Sequence, residues 1–294
     1  MADYAVLMKP RVMSLVVFTA LVGMLLAPGS IDPWTGTAAI VFIAFGAGAA
    51  GAINMWYDRD IDAQMRRTMQ RPLPAGRMRP GSALVFGMLM ATGSVLAMGI
   101  YVNTVSAALL LATIGYYVFV YTVWLKRITP QNVVIGGVSG ALPPVVGWAS
   151  VSADIGLGAI ALFLIIFLWT PPHSWALALF RRGDYQAAGV PMLPVVAGER
   201  ATQRQMIAYT ALLLPTSLLP VAIGLSGVLY AGVAVLFGIG FAFYTVSLWQ
   251  AGQTPDNTPH TEHPARRLFF FSIQYLFALY LALLIDQIVF YPLI

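Results

Sequence analysis

Every lysine and arginine of this chain lies between apolar stretches, and none interrupts one. The 16 basic residues fall at Lys9 and Arg11, at Arg59 to Arg79, at Lys126 and Arg127, at Arg181 to Arg204, and at Arg266 and Arg267. Each gap between clusters holds one apolar segment or a pair joined by a nearly uncharged turn. Basic residues beside short loops stay on the cytoplasmic side of a membrane, so the spacing predicts both a topology and a single charged face. With 59% apolar and 9% charged residues, against roughly 25% charged in an ordinary soluble domain, the chain must bury its surface in lipid or against its own helices. The net charge of +5 is explained by this asymmetry and does not call for nucleic acid as a partner. The absence of cysteine excludes disulfides, thiolate zinc sites and thiol nucleophiles.

A membrane helix needs about 20 mostly apolar residues. Nine stretches qualify, at 12–30, 36–57, 81–101, 104–124, 133–150, 156–180, 205–224, 227–249 and 268–290. The expected fold is therefore an all-α, nine-helix membrane bundle with a cytoplasmic N-terminus, forming a single domain over 1–294. Inner loops are expected at 58–80, 125–132, 181–204 and 250–267, while Asp32, Asp154 and Asp286 lie toward the other side. Trp34, Tyr101 and Tyr291 are placed as interface aromatics. Ala27-Pro28-Gly29 is a poor cleavage site, so the first span is expected to be retained; the short N-terminus favours a prokaryotic inner membrane. Spanning backbone satisfies its own hydrogen bonds, so Pro143-Pro144 and Pro171-Pro172 are expected to bend or break their helices where the freed carbonyls meet protein or a cavity.

The segment Asn54-Met-Trp-Tyr-Asp58-Arg-Asp60-Ile-Asp62 carries the chemistry. Residues 54, 58 and 62 share about 80° of one helix face, with Asp60 nearly opposite. Three oxygen-bearing side chains on one stripe suit Mg²⁺, which takes a few carboxylates and completes its shell with water and phosphate oxygens. They also suit a solvated helix end paired with local arginines. Arg66, Arg67, Arg71 and Arg77 follow in a Pro/Gly-shaped loop, a setting that would hold a diphosphate. Lys126 and Arg127 are a second cationic contribution, with Tyr121 shortly before them on the same span. Asp184, after Arg181-Arg182, is either a further acidic contact or a surface ion pair. His173, in Trp169-Thr-Pro-Pro-His173-Ser-Trp175, lies about 12 Å into the membrane at 1.5 Å per residue, where a polar ring is a functional suspect. It either bonds a carbonyl freed by the prolines or serves an acceptor, as a ligand or a proton carrier. Trp56, Tyr117, Tyr121, Trp169 and Trp175 are candidate aromatic walls. His260 and His263 fall in a polar loop expected to face solvent. A secondary transporter would also have many spans, but its site would lie near the midplane, whereas these charges gather at one face. A lipid-binding scaffold would not need the Asn/Asp stripe.

These segments, together with Lys9-Pro10-Arg11-Val12, Arg71-Pro-Leu-Pro-Ala-Gly-Arg77, Lys126-Arg127-Ile-Thr-Pro-Gln-Asn132, Gly140-Ala-Leu-Pro-Pro-Val-Val-Gly147, Gly189-Val-Pro-Met-Leu-Pro194 and Ala265-Arg-Arg-Leu-Phe-Phe-Phe-Ser272, run from end to end of the chain. Through them the sequence resembles the UbiA-type intramembrane prenyltransferases, and within them the heme-modifying branch. The resemblance implies transfer of a farnesyl group from farnesyl diphosphate to a vinyl of protoheme IX, with Mg²⁺ as cofactor. It places the metal on Asn54, Asp58, Asp62 and Asp184. It places the diphosphate on Arg66, Arg67, Arg71, Arg77, Lys126, Arg127, Tyr121 and Asp184, with Asn54, Asp58, Asp62, Lys126 and His173 catalytic. It places heme against His173, Trp169 and Trp175. A quinone or chlorophyll precursor is the alternative acceptor within the family, and a heme A synthase or terminal oxidase assembly is the partner such a product implies. The sequence departs from the wider family in having Met55 after Asn54 and no acidic partner near Asp184, which leaves open whether one or two metal ions bind.

Overall fold

The computed structural model describes residues 2–253 and 261–289. His260 and Tyr291 lie outside them. Eight helices are long and apolar enough to cross a membrane, and a shorter apolar helix precedes them. In chain order they are α1 (Pro10–Leu26), α2 (Pro33–Tyr57), α3 (Pro80–Tyr101), α4 (Thr104–Leu125), α5 (Asn132–Ser152), α6 (Leu157–Phe180), α7 (Gly198–Ala222), α8 (Val228–Ala251) and α9 (Glu262–Ile288). The chain is a multi-pass membrane protein, and its described residues contain no strand.

Proline placement sets several starts. Pro10, Pro33 and Pro80 each stand at the first helical position, where φ is already correct and the missing N–H would have been unsatisfied anyway. Asp32 caps α2 by accepting from the Thr35 N–H at 2.9 Å. α1 stops at Leu26, short of the expected 30, because Pro28 and the left-handed Gly29 (φ 107°) follow. α7 and α9 begin earlier than expected, at Gly198 and Glu262. Arg200, Arg204, Arg266 and Arg267 are therefore helical rather than in loops; nothing breaks the backbone where the apolar pattern stops.

The two proline pairs behave differently. α5 breaks after Ala141, and Pro143 opens its second half. α6 carries Pro171 and Pro172 without interruption, both buried. Small residues bring helices together: a methyl group added at Gly23 would overlap the carbonyl of Pro144, and one at Gly147 would overlap that of Ala20. α1 thus lies backbone to backbone on the second half of α5. On the other side, α6, α8 and α9 enclose Trp175, Tyr230, Tyr275, Tyr280 and Phe241. The buried tyrosine hydroxyls are satisfied: Tyr230 donates to the Ser217 carbonyl at 2.7 Å, Tyr280 to the Leu162 carbonyl at 2.9 Å, and Tyr275 pairs with the Ser217 hydroxyl at 2.6 Å. Leu89, Ile100, Leu236 and Ile239 are exposed, an outward apolar surface appropriate to lipid. Asp286, expected simply as an outer charge, is buried in α9 and accepts from the Gly227 and Tyr230 N–H groups at the start of α8.

The basic segments meet at one end of the bundle. Ion pairs join Arg71 to Asp62, Lys126 to Asp58 and Arg127 to Asp60. Arg182 pairs with Glu199, and Glu199 accepts from the Thr261 hydroxyl at 2.9 Å.

Candidate active site

Helical hydrogen bonding runs unbroken across the end of α2, from Asp58 N–H to Asn54 C=O at 2.9 Å and from Asp62 N–H to Asp58 C=O at 2.8 Å. Asn54, Asp58 and Asp62 therefore stay on one stripe, and all three are buried, at 4%, 1% and 3% exposure. Buried carboxylates need partners, and each stripe residue meets a cation from a different segment. Lys9 donates to Asn54 Oδ1 at 2.8 Å. Lys126 pairs with Asp58 Oδ2, and Arg71 donates to Asp62 Oδ2 at 2.7 Å. Asn54 Nδ2 in turn donates to Asp58 Oδ2 at 2.7 Å and to the Thr122 hydroxyl at 3.1 Å. Asp58 Oδ1 is buried with no hydrogen-bond partner; Arg127 approaches it only to 3.6 Å.

Two of these cations depend on special backbone. The last ten residues of α4, Tyr116–Leu125, form a π-helix. The Lys126 N–H there bonds the Tyr121 carbonyl at 2.9 Å, and Thr122 Oγ1 bonds the Tyr117 carbonyl at 2.9 Å. Wider turns of this kind are rare and recur at functional sites. Lys9 has φ 52°, a left-handed conformation that costs a non-glycine residue about 1–3 kcal/mol. Its stem runs past Gly51, where a methyl group would lie in ordinary contact, 3.6 Å from Lys9 Cδ. Burial, reinforced by the charges of Arg71 and Lys126, lowers the Lys9 ammonium to about 7.

The stripe opens into a cavity of about 380 Å³, lined by Lys9, Asn54, Asp62, Arg67, Arg71, Lys126, Tyr117, Tyr121 and Tyr185 at its polar and aromatic surfaces, and by Ile43, Ala47 and Leu110 among its apolar ones. A second cavity, about 670 Å³, lies between α1, α5, α6 and α9. Val12, Val16, Tyr117, Tyr121, Val133, Ser139, Gly140 and Ser174 line both. Tyr121 can lie flat there because Gly136 has no side chain; a methyl group would overlap its ring. In the second cavity His173 is sandwiched between Trp169 (ring centroids 4.2 Å apart) and Phe269 (4.6 Å). Its Nδ1 lies 2.7 Å from the Ser272 hydroxyl, so its partner is this hydroxyl rather than a proline-freed carbonyl. Trp169 Nε1 donates to the Ser272 carbonyl at 2.7 Å.

Several expected residues stand elsewhere. Arg66 is exposed and does not line the first cavity. Arg77 pairs with Asp3 at 3.1 Å and donates to the Gln70 carbonyl at 3.2 Å. Arg127 is held by both oxygens of Asp60, each at 2.7 Å, and covers the Tyr57 ring; this pairing keeps the Asp60 carboxyl below the usual carboxylate range. Asp184 does not join the other aspartates: among the described residues no three His, Asp or Glu groups converge on one point. Of its two expected surface partners, Arg182 is turned to Glu199 at 3.6 Å and Arg181 lies over the Phe180 ring. Trp175 is fully buried against Tyr209 and lines neither cavity, and Trp56 packs beneath Arg59. In both, apolar packing outweighs cavity exposure. Lys9 and Thr122 are the polar contacts that sequence reasoning passed over. A lysine just before a span looks like any topology signal, and nothing in the local sequence announces the π-turn that brings Thr122 to Asn54.

An intramembrane helical bundle with a buried Asn/Asp stripe and converging cations at one end defines a class, and a profile of the UbiA prenyltransferase family matches residues 16–273: the chain belongs to that family. It is 54% identical over 287 residues to the protoheme IX farnesyltransferase of Rhizobium rhizogenes, covering 98% of this chain and 89% of the relative. It is 52% identical over 287 residues to that of Parvibaculum lavamentivorans, covering 97% and 88%. Among solved structures, a digeranylgeranylglyceryl phosphate synthase superposes with a TM-score of 0.79 at 17% identity, covering 98% of both chains. A UbiA homolog from Archaeoglobus fulgidus bound to GPP and Mg2+ gives 0.68 at 15%, covering 96% of this chain and 99% of the homolog. At these identities the structures speak for the fold alone.

Proposed function

We propose that this chain transfers the farnesyl group of farnesyl diphosphate to a vinyl group of protoheme IX, giving heme O and diphosphate. The observation that carries this reading is the pair of cavities with a common wall, one rimmed by cations and acidic oxygens, the other walled by His173, Trp169 and Phe269. Relatives at 52% and 54% identity bearing the name of that activity support it.

The first cavity takes the diphosphate. Lys9, Arg71 and Lys126 stand where they can exchange their present carboxylate and amide partners for phosphate oxygens, and Arg67 lines the same cavity. As the bond between C1 of the prenyl chain and the diphosphate oxygen breaks, the electron pair leaves with diphosphate, and these fixed cations offset the growing charge. The allylic cation is shielded by the Tyr117 and Tyr121 rings, which line both cavities. The terminal vinyl carbon of the heme bonds to C1; the inner vinyl carbon takes up water and releases a proton. His173, with one ring nitrogen engaged by Ser272, meets the heme from the second cavity together with Trp169.

The donor set fits Mg²⁺. Asn54 and Asp62 line the first cavity, and Asp58 Oδ1 is a buried oxygen still without a donor. Asn54, Asp58 and Asp62 would hold the ion, which when bound supplies further positive charge to the leaving group. The A. fulgidus homolog of the same fold was solved with GPP and Mg2+ bound, which favours a metal ion at such a site without indicating its ligands here. We place the protein in a prokaryotic inner membrane as a single catalytic domain, with the basic end cytoplasmic, and a heme A synthase or terminal oxidase assembly as the recipient of its product.

Membranes containing the protein, given hemin, farnesyl diphosphate and Mg²⁺, should yield a prenylated heme by mass spectrometry. Prenylation of 4-hydroxybenzoate with heme unchanged would reassign the acceptor to the quinone branch.

A further inference from the structure

We infer that Arg11 is the anchor for the acceptor's carboxylates, and that it fixes which edge of the macrocycle enters the membrane. The inference rests on the heme reading above. Arg11 lines the second cavity and, His173 apart, is its one ionisable nitrogen base among the described residues. It is exposed, and its guanidinium makes no hydrogen bond or ion pair with any described residue; only its backbone carbonyl is engaged, by the Ser14 hydroxyl at 2.9 Å. The cations next to it in the chain and on α9 face other spaces. Lys9 turns into the first cavity toward Asn54, and Arg266 and Arg267 open onto a separate groove with His263 and Phe270.

The left-handed turn at Lys9 followed by Pro10 divides the two charges between the two cavities, and Val12 lines both. From Arg11 the wall descends along α1 through Leu15 and Phe18 to Thr19, about 12 Å at 1.5 Å per residue. A carboxylate carried down this apolar wall without a partner would be strongly disfavoured. Protoheme bears its two propionates on one half of the macrocycle and its two vinyls on the other. With the propionates held at the rim by a fork-shaped guanidinium, the vinyl half points inward, toward the shared wall of Tyr117 and Tyr121. Arg11 is thus a specificity residue for the acceptor and has no part in holding the prenyl donor.

Soret titration of the detergent-solubilised protein with protoheme and with protoheme dimethyl ester tests this. The wild type should bind the free acid about tenfold more tightly than the diester, the size expected for a lost charge-assisted pair. In Arg11→Met the ratio should fall to about one, with farnesyl diphosphate binding unchanged; Arg11→Lys should keep part of the preference. Equal binding of acid and diester by the wild type, or a preference retained in Arg11→Met, overturns the assignment. If the preference behaves as stated but membranes make no prenylated heme, the reaction reading falls and the Arg11 site stands. No Soret change with either compound overturns both.

Discussion

Asp58 is bonded by Asn54 and Lys126 and lies within 3.6 Å of Arg127, so three neighbours converge on a single buried carboxylate. Its replacement by alanine should lower turnover by about 10²-fold or more, the scale of losing one preorganised charge contact in a transition state, and leave the protein monodisperse in detergent. Activity near wild type would remove the stripe from the mechanism. Trp175 makes the opposite case. It is fully buried, and its Nε1 has no partner, so Trp175→Phe should lower thermal stability by about 1–3 kcal/mol through the space it leaves. Heme KM should stay as it was. A raised KM would return Trp175 to the acceptor site. The stripe itself could be read in the sequence, because i, i+4 spacing on a helix is a local geometric consequence. The identity of its partners could not, because Lys9, Arg71 and Lys126 reach it from three other segments of the chain.

Helix boundaries and contacts follow from a mixture of local and long-range causes. Pro143 at the opening of the second half of α5 was legible, since proline has no N–H to continue the first half. The unbroken passage of α6 through Pro171 and Pro172 was not, since it depends on neighbouring helices covering the freed groups. Gly147→Ala should press a methyl group into the Ala20 carbonyl. The expected cost is about 1–3 kcal/mol, as for other overpacked interiors, measured by thermal denaturation in detergent; an unchanged midpoint would mean that α1 can back away from α5. Asp286 closes the start of α8 through the Gly227 and Tyr230 N–H groups. Asp286→Ala should cost about 1–3 kcal/mol by leaving buried donors unpaired, with substrate KM values unmoved because neither cavity includes this end of the bundle.

For the molecule as a whole, the decisive arrangement is two cavities meeting at one wall. Gly140 lines both, and the space where its side chain would lie is open to 4 Å. Gly140→Leu should therefore fold normally and raise KM for both the prenyl donor and the heme acceptor. An effect on one substrate alone would mean that the cavities do not communicate. On the proposed reading, such a bundle lets a diphosphate and a greasy acceptor meet from separate sides while the prenyl chain and the macrocycle both remain out of water.

The linear order of residues was enough for the all-helical membrane class, the charged end and the acidic stripe, since each arises from composition and spacing within a span. Which cations close on that stripe, the burial of Trp175 away from the second cavity, and the meeting of two cavities at Tyr117 and Tyr121 were decided by packing. Those features join residues as far apart as Lys9 and Lys126, or Trp169 and Ser272, and no local preference of the chain encodes a contact between segments that only the folded bundle brings together.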